Sequence, residues 1–153
     1  MNEIIIRKAV KADCAGALKL IKELAVYEKQ PKAVTNNIQD MEQDGFGPQP
    51  VFYMHVAELQ GEIVGISIYF IKYSTWKGRG VYLDDIVVTE HMRGKQIGAK
   101  LLQEVFNFAR DIGAKQVHWQ VLDWNEPAIN FYKKYNAELD SEWINCKLYE
   151  GQF

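Results

Sequence analysis

Residues 82–99 read YLDDIVVTEHMRGKQIGA, and within this stretch a strand pattern changes into a helix pattern. The run from Val81 to Val88 is rich in β-branched and aromatic residues and predicts a strand. From Lys95 onward apolar residues recur at helical spacing, and Gly113 occupies the position of a C-terminal helix cap. The members of this stripe are Ile97, Leu101, Val105, Phe108 and Ile112. The sequence therefore predicts a strand, a short polar turn and a helix, in that order.

The segments around this unit predict a mixed α and β class, arranged as one domain over residues 1–153. A strand at 116–121 follows the helix, so residues 81–121 form a strand–helix–strand unit with parallel strands. Two strands, 51–58 and 63–73, flank Gln60-Gly61 and predict an antiparallel hairpin. The other predicted elements are short strands at 4–7 and 143–149, a helix capped by Asp13, a helix from Thr35 to near Gly45, and a helix from about Glu126 to Asn136.

Composition excludes several classes of function. The chain has 153 residues, a net charge of -2 and no long basic run, which argues against non-specific binding to nucleic acid or an anionic membrane. Its two cysteines, Cys14 and Cys146, lack CxxC spacing, so we expect free thiols and no metal site. The N-terminal apolar run stops after three residues, so neither a signal peptide nor a membrane span is expected. The expected location is the cytoplasm.

The turn from Arg93 to Gly98 suits an anionic ligand. It lies where a strand leads into a helix, and the unsatisfied amides and dipole of a helix N-terminus favour negative charge. Arg93 and Lys95 add positive charge. A helix start whose glycines only turn the chain remains the alternative. A dinucleotide-binding turn fits less well, because the GxGxxG pattern is absent.

These residues resemble the GNAT superfamily of N-acetyltransferases, whose diphosphate motif is written Q/R-x-x-G-x-G/A. Arg93 and Gly98 match that motif, whereas Gln96 stands where its first glycine belongs. The resemblance covers nearly the whole chain and is closer to the spermidine/spermine and thialysine N-acetyltransferases. The blocks that carry it are 20–24, 28–29, 44–47, 73–79, 82–85 and 124–127.

The resemblance implies a fold and an activity. The implied fold is the GNAT fold, a central, mostly antiparallel twisted sheet with the parallel unit at 81–121 and flanking helices. The implied activity is direct transfer of the acetyl group of acetyl-CoA to a primary amine of a small molecule, in a ternary complex and without a metal. The implied acceptor is a thialysine-like amino acid or a diamine or polyamine. Members of this branch are typically homodimers, so a homodimer is expected.

Two catalytic residues follow from the resemblance, Asp84 as a base that acts through water and Tyr132 as an acid. From the residues alone, Asp84 and Asp85 are better explained as structural carboxylates paired with nearby cations, and Tyr132 is also explained as a core aromatic. Strand alternation predicts Asp84 on one face with Tyr82, Ile86 and Val88, and Asp85 on the other with Leu83 and Val87. The two carboxylates are therefore not expected to act as a pair.

The remaining site residues are also implied by the resemblance. Those expected to contact the cofactor are Ile86, Val87, Val88, Arg93, Gly94, Lys95, Gln96, Ile97, Gly98, Ala99, Asn125, Asn130 and Lys133. Those expected to line the amine site are Tyr27, Glu28, Trp76, Asp85 and Trp143. Two other interpretations stay open, an acetyltransferase for protein N-termini or lysines, and a non-catalytic CoA-binding module suggested by Gln96.

Overall fold

The structure is a computed structural model that describes residues 3–153. Its elements in chain order are β1 Ile5–Lys8, α1 Cys14–Tyr27, α2 Ile38–Phe46, β2 Tyr53–Leu59, β3 Glu62–Ser74, β4 Gly78–Val88, α3 Ile97–Asp111, β5 Val117–His118 and α4 Glu126–Lys133. The internal contacts divide the chain into two compact units, one that runs to Gln120 and one from Val121 to Phe153. No helix among residues 3–153 is long and apolar enough to span a bilayer.

The first unit contains a five-stranded sheet in the order β1-β2-β3-β4-β5. Its first three pairings are antiparallel, and β4 pairs with β5 in parallel through Val81 and Val117. This confirms the mixed class, the mostly antiparallel sheet and the parallel strand–helix–strand unit. The parallel strand is shorter than predicted, because only Val117 and His118 pair.

Helices cover both faces of this sheet. Val56 packs in a cluster with residues of α1 and α2, whereas the adjacent Ala57 packs with Ile97 and Leu101 of α3. Since neighbouring residues of a strand point to opposite faces, α1 and α2 lie on one face and α3 lies on the other. The end of β4 and the start of α3 therefore meet beside a packed core.

Two turns form as their sequences predict. Gln60 and Gly61 both have positive φ, 50° and 82°, which is the two-residue turn that matches the twist of an antiparallel hairpin. Gly113 ends α3 with φ of 69°. Its amide donates to Arg110 O at 3.1 Å, and the Ala114 amide donates to Ala109 O at 2.8 Å, so the last carbonyls of the helix are satisfied.

Two helix starts differ from prediction. The second helix begins at Ile38 rather than Thr35, because the Asn37 side chain accepts the Asp40 amide at 2.8 Å and caps it there. Asp13 does not cap α1 with its side chain. Its carboxylate instead accepts the Val10 amide at 2.7 Å and binds Arg7 Nη1 at 2.8 Å, which fixes a single 3-10 turn ahead of α1.

The predicted closing strand at 143–149 is wrong for the chain as described. No strand is assigned to these residues, and Trp143, Ile144 and Leu148 are exposed by 72%, 87% and 67%. Their alternation of apolar and polar residues is typical of a strand, but a strand also needs a neighbour for its backbone groups. Within residues 3–153, the sheet ends at β5 and pairs no strand with this segment.

Candidate active site

The turn between β4 and α3 exposes backbone amides at a helix start. After β4 ends at Val88, one 3-10 turn covers Glu90–Met92, and Gly94 then reverses the chain with φ of 77°. The hydrogen-bond ladder of α3 starts where the Lys100 amide donates to Gln96 O at 3.1 Å. The preceding amides of the first helical turn have no acceptor inside the helix, so they remain suited to an anionic ligand.

Gln96 adopts the backbone conformation that glycine adopts most easily. Its φ and ψ are 62° and 16°, in the left-handed region, at the residue just before α3. For a residue with a Cβ this conformation costs about 1 kcal/mol. The departure from the diphosphate motif therefore retains the turn but adds strain to the backbone.

Arg93 and Lys95 are exposed beside these amides. The Arg93 guanidinium lies 5.4 Å from the centre of the Tyr27 ring, and its Nε donates to Val88 O at 3.2 Å. A cation over an aromatic face is held weakly at an exposed site, by roughly 0.5–1 kcal/mol. Arg93 is therefore positioned at the turn and can exchange Tyr27 for a phosphate at small cost.

A β-bulge places Asp84 outside the regular alternation of β4. Ile68 pairs with Asp85 and Tyr69 pairs with Leu83, so Asp84 is an extra residue opposite β3. The next pair, Phe70 with Tyr82, lies on the same face as Ile68 with Asp85. Tyr82 and Asp85 therefore share a face, and the prediction that they lie on opposite faces is wrong because it ignored the bulge.

Asp84 at the bulge and Glu28 at the end of α1 both affect the ionisation of Asp85. Asp85 is half-buried, and burial together with the charges of Asp84 and Glu28 raises its pKa to about 7. Burial also raises the pKa of Glu28 and the pKa of Asp84, although the Asp84 side chain is largely exposed. Two neighbouring like charges make ionisation of Asp85 unfavourable. A bound ammonium group would reverse that effect, so the cluster is suited to a cation.

Five predicted site residues of the first unit therefore form two groups. The group at the bulge contains Glu28, Asp84 and Asp85, and the group at the turn contains Tyr27 and Arg93. Tyr27 and Glu28 are consecutive residues and connect the two groups. The predicted site residue Trp76 is also in the first unit. It lies in the β3–β4 connection with its side chain 82% exposed, where its amide donates to Ser74 Oγ at 3.2 Å.

The other predicted site residues belong to the second unit. Asn125, predicted as a cofactor contact, caps α4 by accepting the Ala128 amide at 3.4 Å. Tyr132 is 6% exposed, with its ring centre 5.5 Å from that of Phe131, whereas Asn130 and Lys133 are exposed on the same helix. The Trp143 Nε1 donates to Asp140 Oδ2 at 3.0 Å.

The profile of the acetyltransferase (GNAT) family matches residues 16–137, and the chain belongs to this family. It is an acetyl-CoA-dependent N-acetyltransferase. This classification agrees with the sheet, the parallel β4–β5 pair and the amide-rich turn between β4 and α3.

Among related proteins, this chain is similar to acetyltransferases of two named kinds. The chain is 40% identical to the thialysine N-epsilon-acetyltransferase of Bos taurus, with 99% of this chain and 95% of that protein covered. It is 35% identical to the spermidine/spermine N(1)-acetyltransferase-like protein 1 of Homo sapiens, with 93% of this chain and 22% of that protein covered.

Solved structures support the fold. An aminoglycoside N-acetyltransferase in complex with CoA superposes with a TM-score of 0.74 at 15% identity, covering 97% of this chain and 96% of that one. At this identity the similarity concerns the fold alone.

Proposed function

We propose that this enzyme acetylates the side-chain amine of a small zwitterionic amino acid of the thialysine type, by direct attack of the amine in a ternary complex. The observation that carries this proposal is the group formed by Asp84 and Asp85 at the β4 bulge and Glu28 at the end of α1, where burial and the two neighbouring charges raise the Asp85 pKa and a cation would favour its ionised form. Identity of about 40% to thialysine N-epsilon-acetyltransferases over the full chain supports the acceptor class.

Asp84 and Asp85 have separate roles in this proposal. An alkylamine with a pKa of about 10.4 is neutral in less than roughly one part in a thousand at pH 7, so the acceptor must lose a proton. Asp84 is exposed at the bulge and takes that proton through a water molecule, because its side chain is one methylene shorter than the glutamate usual at this position in the resembled family. Asp85 and Glu28 hold the ammonium form as it arrives.

Tyr132 stabilises the sulfur that leaves. A phenol with a pKa of about 10 donating to a thiolate of about 8.5 is uphill by roughly 2 kcal/mol, so a hydrogen bond serves as well as full proton transfer. Burial of the Tyr132 side chain to 6% exposure supports a fixed position for its hydroxyl.

The cofactor is held chiefly by backbone. Acetyl-CoA supplies the acetyl group, and the amides between Arg93 and Ala99 are the proposed donors to its diphosphate. Arg93 and Lys95 add charge. The strand end at Ile86–Val88 and the side chains of Asn125, Asn130 and Lys133 are the proposed contacts for the rest of the molecule.

The acceptor is an amino acid rather than a polyamine in this proposal. Lys29 directly follows Glu28, Lys32 lies four residues after it, and both lysines are exposed. A second ammonium group would meet these cations, whereas an α-carboxylate would be attracted to them. Tyr27, Trp76 and Trp143 are the proposed aromatic faces of the amine site.

Assembly and location are part of the same proposal. We assign residues 1–153 to one domain, which functions as a homodimer in the cytoplasm and binds neither nucleic acid nor membrane. The exposed apolar side chains of Trp143, Ile144 and Leu148 support a second copy as the partner of the C-terminal segment. Light scattering of the purified protein checks the dimer, which predicts twice the chain mass.

The test is amine-dependent release of CoA thiol from acetyl-CoA with thialysine, lysine, spermidine and a short peptide with a free N-terminus. Controls without protein and without amine are needed because Cys146 is exposed and reacts with thiol reagents. We expect thialysine to give the highest kcat/KM. A preference for spermidine or for the peptide would contradict the proposed acceptor.

A further inference from the structure

The carboxylate of Glu23 lies against the start of the turn and is not among the residues that the sequence predicts for the site. Glu23 is on α1, and its Oε1 accepts the Glu90 amide at 3.0 Å. The Thr89 hydroxyl donates to the same carboxylate, at 3.1 Å to Oε1 and 3.0 Å to Oε2. One side chain of α1 thus binds two consecutive residues at the end of β4.

These hydrogen bonds cap the start of a 3-10 turn with a side chain from another helix. Thr89 is the N-cap of the 3-10 turn Glu90–Met92, but its own side chain caps no amide of that turn. Glu23 provides the missing acceptor, while the Thr89 amide donates to Val64 O at 2.9 Å. At the other end of the turn Met92 is 5% exposed and packs in the core. Both ends of the 3-10 turn are therefore fixed.

This fixed turn leads directly into the strained part of the loop. Gly94 and Gln96 both have positive φ, and Gln96 does so at a cost of about 1 kcal/mol. Amides that must converge on a ligand lose affinity when their loop samples other conformations. The negative charge of Glu23 disfavours a nearby anionic ligand. Its contribution to binding is therefore the position that it gives to the backbone of the turn.

The same helix contacts the turn a second time. Tyr27 follows Glu23 by four residues, so both side chains lie on one face of α1. Tyr27 contacts the Arg93 guanidinium, and Glu23 binds Thr89 and Glu90. Helix α1 therefore contacts the β4–α3 connection twice, first at Thr89 and Glu90 and again at Arg93.

We propose that Glu23 is a positioning residue for the diphosphate-binding turn, which acts through Thr89 and Glu90 and touches no substrate. The proposal rests on the assignment of the 93–99 turn to the diphosphate. It predicts that Glu23 controls affinity for ligands that contain the diphosphate and not for those that lack it.

The experiment measures binding of CoA and of S-acetylpantetheine, which lacks the diphosphate, to the full chain and its variants. Glu23→Ala should weaken CoA binding about tenfold to hundredfold, the range for loss of a charge-assisted hydrogen bond. Glu23→Gln retains an acceptor oxygen and should recover most of that loss. Lys22→Ala, an exposed neighbour on α1, is the control and should bind CoA like the unmodified chain.

A second readout needs no ligand. Hydrogen exchange at residues 90–96 should be faster in Glu23→Ala than in the unmodified chain, while α3 keeps its protection. Wild-type CoA affinity in Glu23→Ala would overturn the proposal, as would equal losses for CoA and S-acetylpantetheine. If the unmodified chain binds CoA no more tightly than S-acetylpantetheine, the turn itself is wrongly assigned and the proposal fails with it, whereas amine-dependent turnover would still test the activity separately.

Discussion

The bulge within β4 and the turn that follows β4 differ in which atoms they present. At the bulge, the side chains of Asp84 and Asp85 form the acidic group that we propose binds the amine. Beyond Val88, the backbone of the turn presents amides, and its side chains chiefly add positive charge. A site built from side chains depends on the identity of each residue, whereas a site built from backbone depends on conformation. The turn therefore tolerates Gln96 as long as its left-handed conformation is kept.

The largest effect is expected from Asp84→Asn, which removes a carboxylate from the side-chain group at the bulge. Removing a general base lowers kcat/KM by about 10²–10⁴. Binding of CoA should not change, because Asp84 lies at the bulge rather than the turn. Steady-state kinetics and calorimetric titration measure the two quantities. Asp111→Asn, exposed at the end of α3, is the matched control, and equal losses in both variants would remove the assigned role.

Tyr132→Phe should lower kcat by roughly tenfold to hundredfold while the KM for the amine changes little. The expected size follows from the loss of about 2 kcal/mol of hydrogen bonding to the leaving sulfur. The control is Tyr135→Phe, at an exposed tyrosine of the same unit. Turnover like that of the unmodified enzyme would leave Tyr132 as a core aromatic.

Asp85→Asn tests whether the pKa of Asp85 is raised in the folded chain. The folded-state pKa of Asp85 is about 7, above its unfolded value of about 3.9. Between these values the unfolded chain releases a proton that the folded chain retains, so Asp85 lowers the free energy of unfolding as the pH rises from 4 to 7. The variant should therefore be more stable than the unmodified chain by on the order of 2 kcal/mol at pH 8, and by much less at pH 5.

Chemical denaturation at the two pH values checks this prediction, with Asp111→Asn as the control that should show no pH-dependent difference. Weaker amine binding in Asp85→Asn is expected alongside the gain in stability. A constant difference between pH 5 and pH 8 would show that Asp85 ionises normally in the folded chain.

The smallest effect is expected from Gln96→Gly, which tests the backbone conformation of the turn between β4 and α3. Relief of the left-handed strain should stabilise the fold by about 1 kcal/mol or less, since glycine also gains entropy when unfolded. CoA binding should tighten about threefold because the amides are held in place more easily. Gln60→Gly relieves a similar φ, 50°, in the β2–β3 turn and should stabilise without changing CoA affinity. Weaker CoA binding in Gln96→Gly would show that the glutamine side chain itself contributes.

Local patterns predicted much of the fold, because periodicity and caps act over a few residues. Gln60-Gly61, the α3 stripe and Gly113 all formed as predicted. The bulge at Asp84 could not be seen, because the extra residue is defined only by the register against β3. Glu23 was missed for a similar reason, since its partners Thr89 and Glu90 lie 66 and 67 residues away in the chain. The segment 143–149 shows that a strand pattern is insufficient without a neighbouring strand.

The division of labour along β4 is tested most directly by measuring the dissociation constant for CoA and the turnover number side by side in Asp84→Asn and Glu23→Ala. We expect Asp84→Asn to lose turnover and keep CoA affinity, and Glu23→Ala to lose CoA affinity and keep turnover at saturating acetyl-CoA. Parallel losses of affinity and turnover in both variants would show that the bulge and the turn do not have separate roles.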